Sequence, residues 1–99
     1  MSQHLHTDNA AKPVASYSQA VKAGELVFVS GCIHVNPETG VLKESSIEEA
    51  TAQCLENVKQ ILKRAELGLS NIVKTSIFMI HTEDYAGMDA TYARIVPQP

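Results

Sequence analysis

Tryptophan is absent, and the only aromatic residues are three tyrosines and two phenylalanines. The core therefore has to rest on Val, Ile, Leu, Ala and Met. The chain has 99 residues, which predicts one domain over 1–99. A domain of this size buries roughly 60–70% of its unfolded surface. A small core of that kind is often completed by self-association. Basic residues are also scarce. Eight Lys and Arg stand against eleven Asp and Glu, for a net charge of −3. Affinity for a phosphate backbone comes mostly from Lys and Arg, so the balance argues against a nucleic-acid partner. No apolar run reaches the roughly 18 residues of a membrane span. Residues 1–20 resemble neither a secretory signal nor a basic transit peptide, and the expected compartment is the cytoplasm. Two cysteines, Cys32 and Cys54, form no CxxC pair and read as small hydrophobes in a reducing compartment.

Several chemistries are missing as well. A metal site needs three or four convergent ligands. His4 and His6 lie in a polar tail, and neither they nor His34 and His81 have ligand spacing to a Cys or Asp. No metal is expected. There is no Walker loop and no GxGxxG. A nucleophilic Cys32 would need a base and an electropositive setting, which proximity in sequence to His34 does not guarantee. Ser30-Gly31 is too common a pair to signal catalysis. Tyr17 is equally readable as a hydrogen-bonding phenol in a cleft or as a half-buried side chain.

What is present has a clear order. Residues 1–12 are polar and expected to be extended or loosely held. Ala15–Val21 is a candidate strand, Lys22–Glu25 has turn chemistry, and Leu26–Ser30 (LVFVS) is a β-branched and aromatic strand. The two strands are spaced as a hairpin. Gly31 follows at a point where a backbone often comes close to something else. Cys32–Val35 continues the strand after a bulge, and Asn36-Pro37-Glu38-Thr39-Gly40 is a turn. Ser46 as N-cap with Glu49 three residues on predicts a helix over Ile47–Leu67, closed by Gly68. Its apolar stripe is Ile47, Ala50, Cys54, Val58, Ile61 and Ala65, widened by Leu55 and Leu62. Ile72–Ile80 predicts a strand buried on both faces along Ile77–Ile80. Thr82 opens a second helix with Tyr85, Met88, Tyr92 and Ile95 on its apolar face, and Pro97 ends it. Two strands, a long helix, a strand and a helix make an α+β sandwich.

Several blocks, in order, resemble one family. SGCIHVNPETG at Ser30–Gly40 is similar to the SGQIP and PxTG block of RidA (YjgF-type) proteins. Pro13 and SYSQAV at Ser16–Val21 resemble that family's GPYSQAV-like segment, with Tyr17 on its tyrosine. Gln53, Asn57-Val58, Ile61-Leu62 and Ala65 match its first helix. Ile72-Val73-Lys74-Thr75 matches its IVKTT strand, and Asp84-Tyr85 with Ala90-Thr91-Tyr92 its second helix. The likeness runs from about Thr7 to Tyr92.

The resemblance implies a chorismate-mutase-like α+β sandwich, with a mixed sheet and two helices on one face. It implies a homotrimer with ligand clefts between subunits. The implied activity is hydrolysis of reactive 2-imino acids to 2-keto acids and ammonia, of the 2-iminobutanoate/2-iminopropanoate deaminase type, without a cofactor. A non-catalytic ligand-binding or interaction protein is the first alternative, and an endoribonuclease or translation inhibitor the second. Tyr17 is carried over as the catalytic position, reaching in from a neighbouring subunit. Ser30, Gly31, Cys32 and Asp89 are carried over as ligand-binding positions. Cys32 stands where Gln is usual, and Asp89 where Asn is usual. The family's carboxylate-binding arginine, in a PxR motif, and its glutamate lie on C-terminal strands that residues 1–99 do not include. Arg94 precedes that segment and is no substitute for the arginine.

Overall fold

The computed structural model describes residues 2–13, 16–42 and 46–97. Its strands are β1 (Ser2–Leu5), β2 (Ala20–Ala23) and β3 (Leu26–Val29), and its α-helices are α1 (Ile47–Arg64) and α2 (Tyr85–Ile95). Among the described residues the three strands form one antiparallel sheet in the order β1-β2-β3. The α+β class and the likeness to the RidA sandwich hold. The expected mixed sheet is not seen: every strand pair among the described residues is antiparallel.

Gly24 makes the hairpin possible. Its φ of +62° lies in the left-handed region, where a Cβ is costly. With Glu25 it forms a two-residue loop closed by the Ala23–Leu26 pair. The expected Ala15–Val21 strand is displaced toward the C-terminus. Val14 and Ala15 lie outside the described residues, and pairing begins only at Ala20. For β1 the sequence suggested extended or loose backbone, and the structure pairs it into the sheet. Its residues, SQHL, are polar, yet Leu5 pairs with Ala20 and is buried. Cys32–Val35 does not continue the ladder either. Only Val35 pairs, in a single bridge to Leu42 across the Asn36–Gly40 turn. That turn is as expected, with Gly40 at φ +73° and its N–H donating to Asn36 O at 2.8 Å.

The register gives the sheet two unlike faces. Leu5, Ala20, Val27 and Val29 share the inner face, and Leu5 and Ala20 join Ala10 and Ile61 of α1 in the buried core. Each large aliphatic side chain buried in this way contributes about 1.5–3 kcal/mol. His4, Val21, Ala23, Leu26 and Phe28 share the outer face, where Leu26 is 56% and Phe28 60% exposed.

Ser46 caps α1 as expected, accepting from the Glu49 N–H at 3.2 Å. The other end departs from expectation. The helix stops at Arg64, and Glu66, not Gly68, takes the left-handed position at φ +60°. Glu66 N–H donates to Lys63 O and Leu67 N–H to Leu62 O, which is the Schellman pattern. The buried seam of α1 is also more polar than its expected stripe. Thr51, Leu55, Asn57, Ile61 and Leu62 are buried, while Cys54 and Val58 are only half-buried. Thr51 satisfies its hydroxyl on Ile47 O at 2.7 Å.

A 3₁₀ turn at Thr82–Asp84 leads into α2, which packs on α1 at Gly87. Met88 and Thr91 are its buried residues, whereas Tyr85 is exposed. The largest correction concerns residues 72–80. The segment is extended but belongs to no strand, and among the described residues no backbone hydrogen bond is formed by residues 73–80. Val73, Phe78 and Ile80 are at least 90% exposed, not buried on both faces. The β-propensity of this stretch is real, but no strand among the described residues pairs with it.

Candidate functional site

Residues 16–19 and 30–33 run side by side just beyond the β2–β3 ladder. Ser30 N–H donates to Gln19 O at 2.9 Å, and Ser30 Oγ donates to Ser18 O at 2.6 Å. This puts Tyr17, Ser30, Gly31 and Cys32 around one small hollow of about 20 Å³, with Ala11, Lys12, Gln19, Ile33 and Asn57 completing its walls. That volume is about the room needed for one water molecule. Four of the five residues singled out from the sequence are therefore brought together.

Asp89 is not among them. It is exposed on α2 and lines a separate open groove of about 750 Å³, between residues 72–79 and α2. Lys74, Thr75 and Tyr92 line the same groove, and the Thr75 and Tyr92 hydroxyls are hydrogen-bonded at 2.9 Å. Within one chain, Asp89 and the Tyr17 hollow are different places.

Each member of the hollow has a defined state. Tyr17 is 43% exposed. Gly31 makes no internal hydrogen bond among the described residues, and a Cβ there would meet nothing within 4 Å. The close approach expected at this glycine does not occur among the described residues. Its peptide groups are open to an outside partner. Cys32 Sγ donates to Ser30 O at 3.6 Å. Burial pushes the Cys32 thiol up to about 11, and neighbouring Cys54 adds to the shift. Burial also raises the Cys54 thiol. Both cysteines are free thiols rather than a disulfide, and at neutral pH neither is a thiolate nucleophile.

Two buried amides hold the hollow, and neither was singled out from the sequence as a site residue. The Gln19 side chain accepts from Thr7 N–H at 2.7 Å and donates to Thr7 O at 3.1 Å and Ala11 O at 2.9 Å. Asn57, 1% exposed, donates to Ile33 O at 3.2 Å and Val35 O at 3.0 Å. The signal available beforehand was a polar amide one turn ahead of Ile61 on the apolar side of α1.

Cations are few here. Among the described residues Lys12 is the only cationic side chain on the hollow, and neither arginine lines the hollow or the groove. Arg64 Nε is occupied by His6 O at 2.9 Å, and Arg94 is exposed in the last turn of α2. Among the described residues no group of three or more His, Cys, Asp or Glu is placed to hold a metal ion. No helix among them is long and apolar enough to cross a membrane.

The family model for Endoribonuclease L-PSP matches residues 7–99. The chain belongs to the RidA (YjgF/L-PSP) family. A RutC family protein of Pyrococcus horikoshii is 39% identical over 93 residues, covering 94% of this chain and 74% of that protein. The chloroplastic Reactive Intermediate Deaminase A of Arabidopsis thaliana is 39% identical over 95 residues, covering 96% of this chain and 51% of that protein. The crystal structure of RidA from an Antarctic Psychrobacter superposes with a TM-score of 0.94 at 33% identity. That match covers 98% of this chain and 78% of that one. This RidA-family chain thus shares the fold of its relatives across nearly all of its own length.

Proposed function

We propose that this RidA-family chain binds small 2-imino and 2-keto acids in a cleft between subunits that has the Tyr17 hollow on its wall, and that imine hydrolysis to a 2-keto acid and ammonia is its reaction type. The observation that carries the reading is the convergence of Tyr17, Ser30, Gly31 and Cys32 on one hollow beside an unpaired Gly31 peptide. A carboxylate ligand needs hydrogen-bond donors, and the Gly31 N–H and the Lys12 ammonium stand on this wall to supply them. Hydrolysis adds water across the C=N bond and expels ammonia as the C=O bond forms. No cofactor is needed for that step. The relative named Reactive Intermediate Deaminase A supports the reaction class.

The rate expected of these 99 residues is low. No arginine lines the hollow, and a charge-assisted carboxylate anchor contributes about 1.5–3 kcal/mol. That observation also supports a second reading, a ligand-binding protein of the same fold without catalysis. A ribonuclease reading, which the family's description carries, finds one lysine in the hollow and one in the groove to hold a phosphate backbone.

We place the working form as a homotrimer in the cytoplasm, with its clefts between subunits. The outer sheet face, with Leu26 and Phe28 exposed, supports self-association. The test is ammonia release from freshly generated 2-iminobutanoate, run beside calorimetric titration with 2-ketobutyrate. Binding with slow turnover supports the enzyme. Binding without turnover leaves the non-catalytic reading. Neither binding nor turnover in a folded sample removes both.

A further inference from the structure

Asn57 is the largest fully buried side chain in the described structure, and it is polar. A buried carboxamide without partners costs about 1–3 kcal/mol. Here every part of it is used. Its Nδ2 donates to Ile33 O at 3.2 Å and to Val35 O at 3.0 Å. Its Oδ1 accepts from Ala11 N–H at 3.4 Å and from Gln53 Nε2 at 3.3 Å.

Ala11 and Ile33 are opposite ends of the chain segments that wall the Tyr17 hollow. They are far apart in sequence, and one side chain, held on a helix, reaches both. Gln19 fixes the other end of the Ala11 residue by donating to its carbonyl. The backbone at Ala11 is thus held at both N–H and C=O. The backbone entering Cys32 and Ile33, by contrast, belongs to no strand and has the Asn57 amide as its tie to α1.

We infer that Asn57 is a positioning residue for the Tyr17 hollow, setting through Ala11 and Ile33 the spacing between the walls that receive the ligand. This rests on the hollow lying on the wall of the ligand cleft, as proposed above. Asn57 acts on the ligand through the two backbone segments.

The test uses Asn57→Asp, which keeps the size and the acceptor but loses the paired donation to Ile33 and Val35. Alkylation by iodoacetamide, followed by mass spectrometry, reports on Cys32 in the hollow wall and on Cys54 one turn earlier on α1. The variant is expected to alkylate at Cys32 about tenfold faster than the parent, with Cys54 little changed, and to lose about tenfold in 2-ketobutyrate affinity. A merely stabilising amide predicts that both thiols speed up together through global opening. That result, unchanged Cys32 labelling, or unchanged ligand affinity in the variant of a parent that binds, overturns the assignment. If the parent itself does not bind 2-ketobutyrate, the functional reading fails, while the Cys32-to-Cys54 labelling ratio still decides the positioning role. Should Asn57→Asp not fold, Gln53→Leu removes only one support of the Asn57 Oδ1. It is then expected to raise Cys32 labelling selectively, and an unchanged ratio counts against the inference.

Discussion

Gly87 of α2 and Ile47 of α1 meet so closely that a Cβ on Gly87 would stand 2.8 Å from Ile47 Cγ2. The same Cβ would be 2.5 Å from Glu48 Oε2. The glutamate end can swing away, but the branched Ile47 side chain in the first turn of α1 has less freedom. Gly87→Val is therefore expected to destabilise the fold by about 1–3 kcal/mol through overpacking. Urea denaturation measures this as a lower midpoint. An unchanged midpoint would mean that the helices do not cross at this glycine.

Glu66 holds a left-handed conformation at the C-terminal end of α1. A side chain there costs about 1–2 kcal/mol, part of which glycine gives back through its greater freedom in the unfolded chain. Glu66→Gly is expected to raise stability by about 0.5–1 kcal/mol, read as a higher melting temperature. A lower one would contradict the Schellman ending.

The Cys32 thiol, pushed up to about 11 by burial, keeps its proton in the folded chain above the pH at which an unfolded cysteine ionises. Between those two values the folded state binds more protons than the unfolded state, so stability falls as pH rises. Cys54, also raised by burial, works in the same direction. The urea midpoint of the parent should therefore drop more steeply above about pH 9 than that of a Cys32→Ala variant. Parallel pH profiles would show that the Cys32 thiol is not shielded.

The outer face of the sheet leads to a prediction about assembly. Leu26 and Phe28 are more than half exposed on adjacent outward positions of β3. We expect light scattering to give a trimer for the parent and a monomer for Phe28→Glu, because a charge buried in an apolar contact is costly. A monomeric parent would remove the case for clefts shared between subunits.

Local signals in the sequence carried part of this structure. Ser46 with Glu49 announced the start of α1, and Gly24 and Gly40 announced turns, because capping and positive φ act over a few residues. Strand pairing is not local. The polar segment SQHL forms a strand because Leu5 and Ala20 meet on the inner face. The strongly β-prone Ile72–Ile80 remains outside the sheet because no strand among the described residues lies beside it. The site followed the same division. Tyr17, Ser30, Gly31 and Cys32 were legible through their resemblance to family blocks. Asn57 as a bracket between Ala11 and Ile33 was not, since its partners are backbone groups far away in sequence. The resemblance carried Asp89 over as a ligand-binding position, and within one chain it lines the groove beside α2.

The central claim is that the residues around the Tyr17 hollow form one wall of a cleft for a small 2-keto or 2-imino acid. Its most direct test is an amide NMR titration of the 99-residue chain with 2-ketobutyrate. The account predicts saturable shifts at the Gly31 and Cys32 amides, strongly reduced by Tyr17→Phe. No saturable shift at those amides, or shifts confined to the residues of the groove beside α2, would contradict it.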